Sequence, residues 1–280
     1  MITEEIARAK LFAAVEPGSS IFPREVLTYG AREVINRIEA GEYKNCEKIL
    51  TADGEAVLRS CEKIGVQFLT PESKDWPDSF FELAAPPIAL TAKGDLTLLR
   101  ERSLAIVGTR NPTNYGLRIA GDFAAGFVDR GWVIVSGGAY GIDAAAHKGA
   151  LIAEGGTIAV LASGLDIVYP AGHVKLFSEI TETGLLISEF APGVKALPAR
   201  FLTRNRLIAA LGNATLVVEA AFRSGSLRTA RDAAEMLRPV MAIPGPITSP
   251  LSEGCHRLIG ERAAEIVTSI ADAVEFIGSN

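Results

Sequence analysis

The chain has 280 residues, of which 48% are hydrophobic, and its formal net charge is −5. This length fits one large α/β domain with a smaller companion. Its apolar runs stay short of the roughly 18 residues that a transmembrane helix needs, so we expect no membrane span. Because the chain is acidic overall, any binding of nucleic acid must use a local basic patch.

The three cysteines are scattered and form no CxxC pair: Cys46, Cys61 and Cys255. We interpret them as free thiols of a protein in the reducing cytoplasm. The three histidines also lie far apart, so we predict no metal site. Residues 1–5 do not open a basic region followed by an apolar one, and no signal peptide is expected.

Residues 1–65 have a helical pattern. Apolar side chains recur at helical spacing over residues 4–15, 32–38 and 55–64. We predict a small helical N-terminal domain over 1–65, followed by a second domain over 66–280. The segment 67–99 is a proline-rich connector in which 88–92 is typical of an edge strand, closed by a hairpin turn at 93–95.

From residue 104 onwards, β-branched runs alternate with helical segments. Strands are predicted at 104–107, 133–135, 157–161, 185–187, 216–218 and 240–243. Helices are predicted at 115–129, 142–153, 174–183, 203–211 and 226–237, and a capping box of Ser269 and Asp272 opens a last helix. Continuous apolar strands alternating with helices indicate a mostly parallel α/β sheet with helices on both faces.

Ligands of such sheets bind beyond the carboxyl ends of the strands. The loops expected at this edge are 108–110, 136–141, 163–166, 188–190 and 219–226. The second of these follows a buried strand and precedes an Ala-rich helix. Its glycines, Gly137 and Gly138, favour a phosphate site at the helix N-terminus, although a tight turn that only packs strand against helix is the alternative.

Two side chains on that helix, Asp143 and His147, lie one turn apart. They form either an acid–base pair or, as we favour, a hydrogen-bonded pair within the helix that braces the glycine loop. In the preceding loop, Arg110 follows Gly108 and Thr109. An arginine here can clamp a phosphate, or it can instead tie down a carboxylate of the loop.

Basic residues concentrate between residues 194 and 238, where eight basic side chains accompany three acidic ones. Within this segment, Arg200, Arg204 and Arg206 surround Phe201. Cations for phosphates and a ring for a base are what single-stranded nucleic acid requires. The alternatives are that Phe201 belongs to the core and that Asn205 holds a neighbouring loop.

A second strand, glycine turn and helix follow from Val218 to Ala230, with Glu219 at the strand end. We predict Ser226 as the N-cap of the helix, with Ser224, Gly225 and Thr229 completing a second anion pocket. The chain contains no GxxxxGK[ST], GxGxxG or GxSxG motif and no clustered carboxylates. We therefore expect no nucleotide hydrolysis, no dinucleotide or other cofactor and no metal-dependent nuclease.

Several of these segments together resemble the DNA-processing protein A (DprA/Smf) family over roughly residues 66 to 268. The resemblance lies in Ile106–Arg110, Ser136–Asp143 with His147, Ala159–Asp166 with Tyr169-Pro170, Ser188-Glu189, Arg204–Ala209, Val217–Ala220, Ser224–Ala230, Ile243–Gly245 and Ser252–Ile259. It implies an extended Rossmann-like fold, often preceded by a helical N-terminal domain. It also implies a dimer that binds and protects single-stranded DNA without nucleotide hydrolysis and helps to load a RecA-type recombinase during natural transformation.

The resulting DNA- or phosphate-binding set is Gly108, Thr109, Arg110, Ser136, Gly137, Gly138, Ala139, Gly141, Lys195, Arg200, Phe201, Arg204, Asn205, Arg206, Ser224, Gly225, Ser226 and Thr229. Asp143, His147 and Glu219 are assigned as structural braces. Two other hypotheses stay open. A small-nucleotide enzyme or sensor would be expected to carry a PGGxGTxxE signature, which is absent. A scaffold that only binds other proteins would give the glycines and arginines of this edge no function.

Overall fold

The computed structural model describes residues 2–278. The chain divides into two compact units. The first contains the residues up to Lys93 together with Leu161–Ile167 and Ile187–Thr203; the second contains Gly94–Val160, Val168–Leu186 and the residues from Arg204 on. The first unit therefore includes the connector that follows residue 65 together with the helices that precede it.

The first unit opens with five helices: α1 (Glu4–Ala14), α2 (Phe22–Tyr29), α3 (Ala31–Glu39), α4 (Glu47–Thr51) and α5 (Gly54–Lys63). The predicted N-terminal helical region is confirmed. Periodicity identified α1, α3 and α5 within one or two residues. It missed α2 and α4, which are too short to show a repeat. Buried Ala7, Leu11, Val34 and Ile35 form the centre of their core.

Two strands of the first unit, β1 (Gln67–Leu69) and β2 (Leu90–Gly94), pair antiparallel, with Gln67 opposite Ala92. The predicted hairpin turn at 93–95 is wrong. The strand β2 runs through Gly94, and Asp95 instead caps a short 3₁₀ helix by accepting a hydrogen bond from the Thr97 N–H at 2.9 Å. The prediction that this strand lies at the edge is also wrong, because β1 lies outside it.

The remaining strands are β3 (Ser103–Val107), β4 (Val133–Ser136), β5 (Thr157–Leu161), β6 (Leu185–Ser188), β7 (Ala214–Val217), β8 (Val240–Ala242) and β9 (Glu265–Ile266). Strand order in the sheet is β1-β2-β6-β5-β4-β3-β7-β8-β9. The run from β5 through β4, β3, β7 and β8 to β9 is parallel throughout, with Ala105 opposite both Val135 and Thr215. The predicted mostly parallel α/β sheet is confirmed.

Seven further helices connect these strands: α6 (Asn114–Val128), α7 (Ile142–Ile152), α8 (Val174–Thr183), α9 (Pro198–Leu211), α10 (Ser226–Glu235), α11 (Glu253–Gly260) and α12 (Ile270–Gly278). The helix α9 begins five residues before its predicted start, with proline at the first helical position, where its missing N–H costs nothing. At α12, Ser269 accepts a hydrogen bond from the Asp272 N–H at 3.1 Å, and the Asp272 carboxylate accepts one from the Thr268 N–H at 3.0 Å.

The core of the second unit lies around β3, whose Leu104 and Ile106 are fully buried together with Phe127 of α6 and Ile134 of β4. Strand β3 is also the point where the order of the sheet reverses, because β4 lies on one side of it and β7 on the other. In open α/β sheets this switch point is where a crevice forms beyond the carboxyl ends of the strands. The loops after β3, β4 and β7 are thereby brought to one place.

Between residues 2 and 278, no helix is both long and apolar enough for a membrane span. The same residues contain no group of three or more histidine, cysteine or acidic side chains placed to hold a metal ion.

Candidate nucleic-acid interface

Backbone hydrogen bonds join the three loops at the switch point. The N–H of Ile142, which opens α7, donates to the Thr109 carbonyl at 3.2 Å, and the Thr109 N–H donates to the Glu219 carbonyl at 2.7 Å. The loops that follow β3, β4 and β7 are therefore in direct contact. The structure brings together the predicted residues Gly108–Arg110, Ser136–Gly141 and Glu219.

The loop after β4 requires glycine at its last position. Gly141 has a φ of +84°, and a Cβ there would collide with the Thr109 carbonyl oxygen and the Arg110 backbone. Only glycine combines this backbone conformation with so close an approach of two loops. The glycine loop, by which we mean residues 137–141, is thus shaped by its contact with the loop that carries Arg110.

The carboxylate of Asp143 holds the glycine loop from the helix side. It accepts hydrogen bonds from the N–H groups of Gly137 at 3.2 Å and Ala139 at 3.3 Å. Burial raises the pKa of Asp143, while the nearby Arg204 guanidinium and the two N–H groups act in the opposite direction. Asp143 therefore braces the loop.

The guanidinium of Arg204 lies beneath the glycine loop. It donates to the Gly137 carbonyl at 2.5 Å and to the Val160 carbonyl, and the residue is only 5% exposed. Burial lowers the pKa of Arg204 to about 10, with Asp143 raising it and Arg110 lowering it further, so it is charged at neutral pH. The sequence predicts a phosphate contact here. The structure instead makes Arg204 a buried support whose charge lies just below the loop.

The predicted hydrogen bond between Asp143 and His147 is wrong, because the two side chains bond to different partners. His147 Nδ1 lies 2.7 Å from Thr157 Oγ, and the Thr157 hydroxyl donates to the Ile134 carbonyl at 2.8 Å. Since that hydroxyl proton is already used, Nδ1 carries the proton and donates to Thr157. Burial, followed by His173 and Arg204, lowers the pKa of His147 to about 3. His147 is therefore neutral at physiological pH and ties α7 to β4 and β5.

His173, which the sequence did not indicate, also holds the glycine loop. His173 Nδ1 donates to the Gly138 carbonyl at 3.0 Å, and its ring lies edge-on to Tyr140, with 4.6 Å between the centroids. The Tyr140 hydroxyl accepts a hydrogen bond from the Gly172 N–H at 3.3 Å. A lone histidine far along the chain gives no signal of this contact, which depends on how α8 returns to the sheet edge.

The bonding of the loop leaves several backbone donors available. Among residues 2–278, the N–H groups of Gly138, Tyr140 and Gly141 have no hydrogen-bond acceptor. The helix α7 starts directly behind them, and its N-cap, Gly141, has no capping side chain. Unsatisfied donors at a helix N-terminus, with the helix dipole aligned behind them, bind anions.

The loop after β3 has its own brace. Thr113 donates to the Glu219 carboxylate through its N–H at 2.9 Å and its hydroxyl at 2.6 Å. These two hydrogen bonds fix the loop after β3 to Glu219, which follows β7. Arg110 is exposed on this loop, within electrostatic reach of Arg204.

The second predicted pocket is a hydrogen-bonded turn. Ser226 is not the N-cap, since α10 begins at Ser226 and Gly225 precedes it. Ser224 Oγ accepts from the Ser226 N–H at 3.3 Å, and Asn205 Nδ2 donates to the Gly225 carbonyl at 3.1 Å. The alternative considered for Asn205, holding a neighbouring loop, is what the structure shows. Thr229 is buried beneath this turn and Arg206 is half-buried on α9.

Lys195, Arg200 and Phe201 belong to the first unit. Arg200 donates to the Glu16 carboxylate at 2.6 Å and to the Lys195 carbonyl at 2.6 Å, and its guanidinium lies 4.8 Å from the centre of the Phe190 ring. Arg200, which was predicted to contact DNA or phosphate, is therefore engaged by contacts inside its own unit. Phe201 is half-buried on α9, and Lys195 is exposed.

The fold and site define a Rossmann-like α/β protein whose loops present unsatisfied backbone donors at the switch point of the sheet, without a Walker lysine or a dinucleotide-binding motif. The sequence profile of the DNA recombination-mediator protein A family matches residues 67–278, and the chain belongs to this family. The predicted resemblance is confirmed.

Known relatives support this assignment over most of the chain. A DNA processing protein DprA from Mycobacterium tuberculosis is 42% identical, and the match covers 97% of this chain and 75% of the relative. The DprA of Bacillus subtilis is 36% identical over 90% of this chain and 86% of its own length.

Two solved structures have a similar fold at 34% sequence identity. The X-ray structure of DprA from Streptococcus pneumoniae has a TM-score of 0.86 and covers 98% of both chains. A structure of DprA from Helicobacter pylori has a TM-score of 0.68 over 76% of this chain and 95% of that protein, and it was determined to describe the single-stranded DNA binding mode of the H. pylori protein.

Proposed function

We propose that this protein binds single-stranded DNA where the glycine loop meets Arg110, and that it acts in DNA processing during transformation and recombination. One observation carries the proposal. Unsatisfied backbone donors of the glycine loop lie at the start of α7, directly against the backbone of the exposed Arg110. A bound phosphate would accept hydrogen bonds from these donors and pair with the Arg110 guanidinium.

The arrangement suits a sugar-phosphate strand in particular. The donors of the glycine loop belong to the backbone, and Arg110 lies on an exposed loop, so both reach phosphates without reading a base. Single-strand binders without sequence preference combine such cationic surfaces with aromatic side chains. The single-stranded DNA binding of the H. pylori relative supports the same ligand class for this chain.

We also propose a binding role rather than a catalytic one. Asp143 and His147 were the candidate acid–base pair on α7, and both side chains are buried and engaged in structural hydrogen bonds. A RecA-type recombinase as partner and a homodimer as the assembly are part of the proposal; the family's description as a recombination mediator supports the recombinase.

Competition binding tests the ligand class. A fluorescent oligodeoxythymidine is bound to the wild-type protein, and unlabelled oligodeoxythymidine, duplex DNA and mononucleotides are then added separately. We expect the unlabelled single strand to displace the probe at far lower concentration than mononucleotides do, because it makes several phosphate contacts at once. Equal competition by a mononucleotide would identify a small-nucleotide site instead.

A further inference from the structure

A groove of about 570 Å³ lies along the surface between α6 and α7 and begins at the glycine loop. Its floor is the crossing of the two helices, where Gly149 approaches the Gly121 backbone so closely that no Cβ would fit at Gly149. Tyr140 and Gly141 of the glycine loop form part of its lining. The groove is therefore continuous with the anion site, and its size lies within the range of roughly 300–1,000 Å³ typical of ligand clefts.

Tyr140 presents an aromatic ring to this groove. The residue is 49% exposed, although its ring packs edge-on against His173 and its hydroxyl is bonded to the Gly172 N–H. The ring is thus held in one orientation before any ligand arrives. An exposed, fixed ring beside a phosphate site is suited to stacking on a nucleobase, because little side-chain entropy is lost on binding.

The rest of the groove combines an apolar floor with a mainly cationic rim. Leu117 and Ile152 are exposed large apolar side chains of its lining. Arg118 and Lys148 are exposed lining residues, and Asp122 is the only acidic side chain among them. Apolar surface for bases and cations for phosphates match a nucleic acid strand better than an acidic or purely apolar partner.

We propose that this groove is a second subsite for single-stranded DNA, which receives the nucleotides that follow the phosphate held at the glycine loop. The first base stacks on Tyr140. The next nucleotides lie over the glycine and alanine floor, with Arg118 and Lys148 facing their phosphates. This inference rests on the proposed function and adds the path that the strand takes from the loop.

Gly121→Leu is the variant that closes the groove. A Cβ at Gly121 would have one neighbour within 4 Å, the Ala145 carbonyl oxygen at 3.9 Å, so a side chain there enters open space. Leucine is also a better helix former than glycine, and we expect the fold to be kept. Ala13→Leu, at an exposed position of α1, is the matched control that adds a leucine elsewhere.

Affinities are measured for oligodeoxythymidines of about 4 and about 16 nucleotides, which span the usual site sizes of single-strand binders. Gly121→Leu is expected to weaken binding of the longer strand about tenfold or more and to leave the shorter one within about twofold, while Ala13→Leu changes neither. Equal affinity of wild type and Gly121→Leu for the longer strand would overturn the groove as a subsite. So would a change in self-association without a change in DNA affinity, since the groove would then bind protein.

The stacking role of Tyr140 is tested with an abasic strand of the same length. Tyr140→Leu should weaken binding of oligodeoxythymidine about tenfold and leave binding of the abasic strand unchanged, whereas Tyr140→Phe should behave like wild type. An equal loss for both strands would show that Tyr140 only shapes the loop. If the wild-type protein binds neither strand, the proposed function itself fails, which is distinct from failure of the subsite.

Discussion

Arg110 and Arg204 are similar in the sequence pattern but differ in burial. Arg110 and Arg204 were both predicted to contact phosphate, but Arg110 is exposed, and Arg204 is enclosed and bonded to two carbonyl groups. No local pattern distinguishes them, because the enclosure of Arg204 depends on α9 packing beneath the glycine loop. The main role of such a buried, hydrogen-bonded guanidinium is to support the fold of the glycine loop, and its charge is a smaller contribution to the site.

Arg204→Met keeps the length of the side chain and removes the charge and its donors. We expect the free energy of unfolding to fall by about 2–4 kcal/mol, because the carbonyls of Gly137 and Val160 lose their bonds and Asp143 loses its neighbouring charge. Urea titration measures this loss. A variant as stable as wild type but deficient in DNA binding would show that Arg204 contacts the ligand directly.

His147 predicts a pH dependence of stability. The unfolded imidazole titrates near pH 6.5, and the folded one only near pH 3. Above pH 6.5 the His147 imidazole is neutral in both the folded and the unfolded state, and its contribution to stability is fully present. As the pH falls below 6.5, the imidazole of the unfolded state becomes protonated while that of the folded state stays neutral. The contribution to stability should decrease by about 2 kcal/mol between pH 7 and pH 5.

Chemical denaturation of wild type and His147→Gln at both pH values measures that contribution, since the glutamine variant lacks the titrating group. Other titrating side chains affect both proteins alike. A pH response of equal size in the two proteins would mean that His147 is protonated in the folded state.

At the scale of elements, the sequence predicted what depends on local patterns. The six central strands were placed within two residues, because each is a continuous apolar run. The short helices α2, α4 and α11 and the two-residue β9 have too few residues for periodicity. The composition of residues 93–95 suggested a turn, but Gly94 is there because the Gly184 backbone approaches it closely. These two residues are ninety positions apart, so a local stretch of sequence does not indicate their contact.

Gly141→Ala tests the contact between the two loops. The positive φ and the collision with the loop of Arg110 should lower the free energy of unfolding by about 1–3 kcal/mol. Affinity for single-stranded DNA should fall as well, because the loops separate. Gly260→Ala, where a Cβ meets nothing within 4 Å, is the control. Unchanged stability and affinity at Gly141 would show that the loops tolerate separation.

At the scale of the whole molecule, the position of the site follows from the order of the strands. The sequence identified five loops at the carboxyl edge of the sheet but not which of them adjoin. The order β4-β3-β7 decides this, and it brings together the loops that carry Gly141, Arg110 and Glu219. Strand order depends on packing among distant segments, so it could not be predicted from the individual segments.

The net charge of −5 also affects how this site binds DNA. An acidic molecule repels DNA except where its cations concentrate, so binding should depend on few phosphate contacts and each should matter. Arg110 is the contact that the structure exposes most clearly. Arg130, an exposed arginine at the end of α6, carries the same charge at the opposite, amino-terminal edge of the sheet.

The salt dependence of oligodeoxythymidine affinity, measured for wild type, Arg110→Ala and Arg130→Ala, tests the phosphate site most directly. We expect a steep loss of wild-type affinity with rising salt, as counterions are displaced by each phosphate contact. Arg110→Ala should weaken binding by about 1–2 kcal/mol and reduce the slope of log affinity against log salt by about 0.7, whereas Arg130→Ala should match wild type. A wild-type affinity that is indifferent to salt, or an Arg110→Ala slope equal to that of wild type, would contradict a phosphate site at the glycine loop.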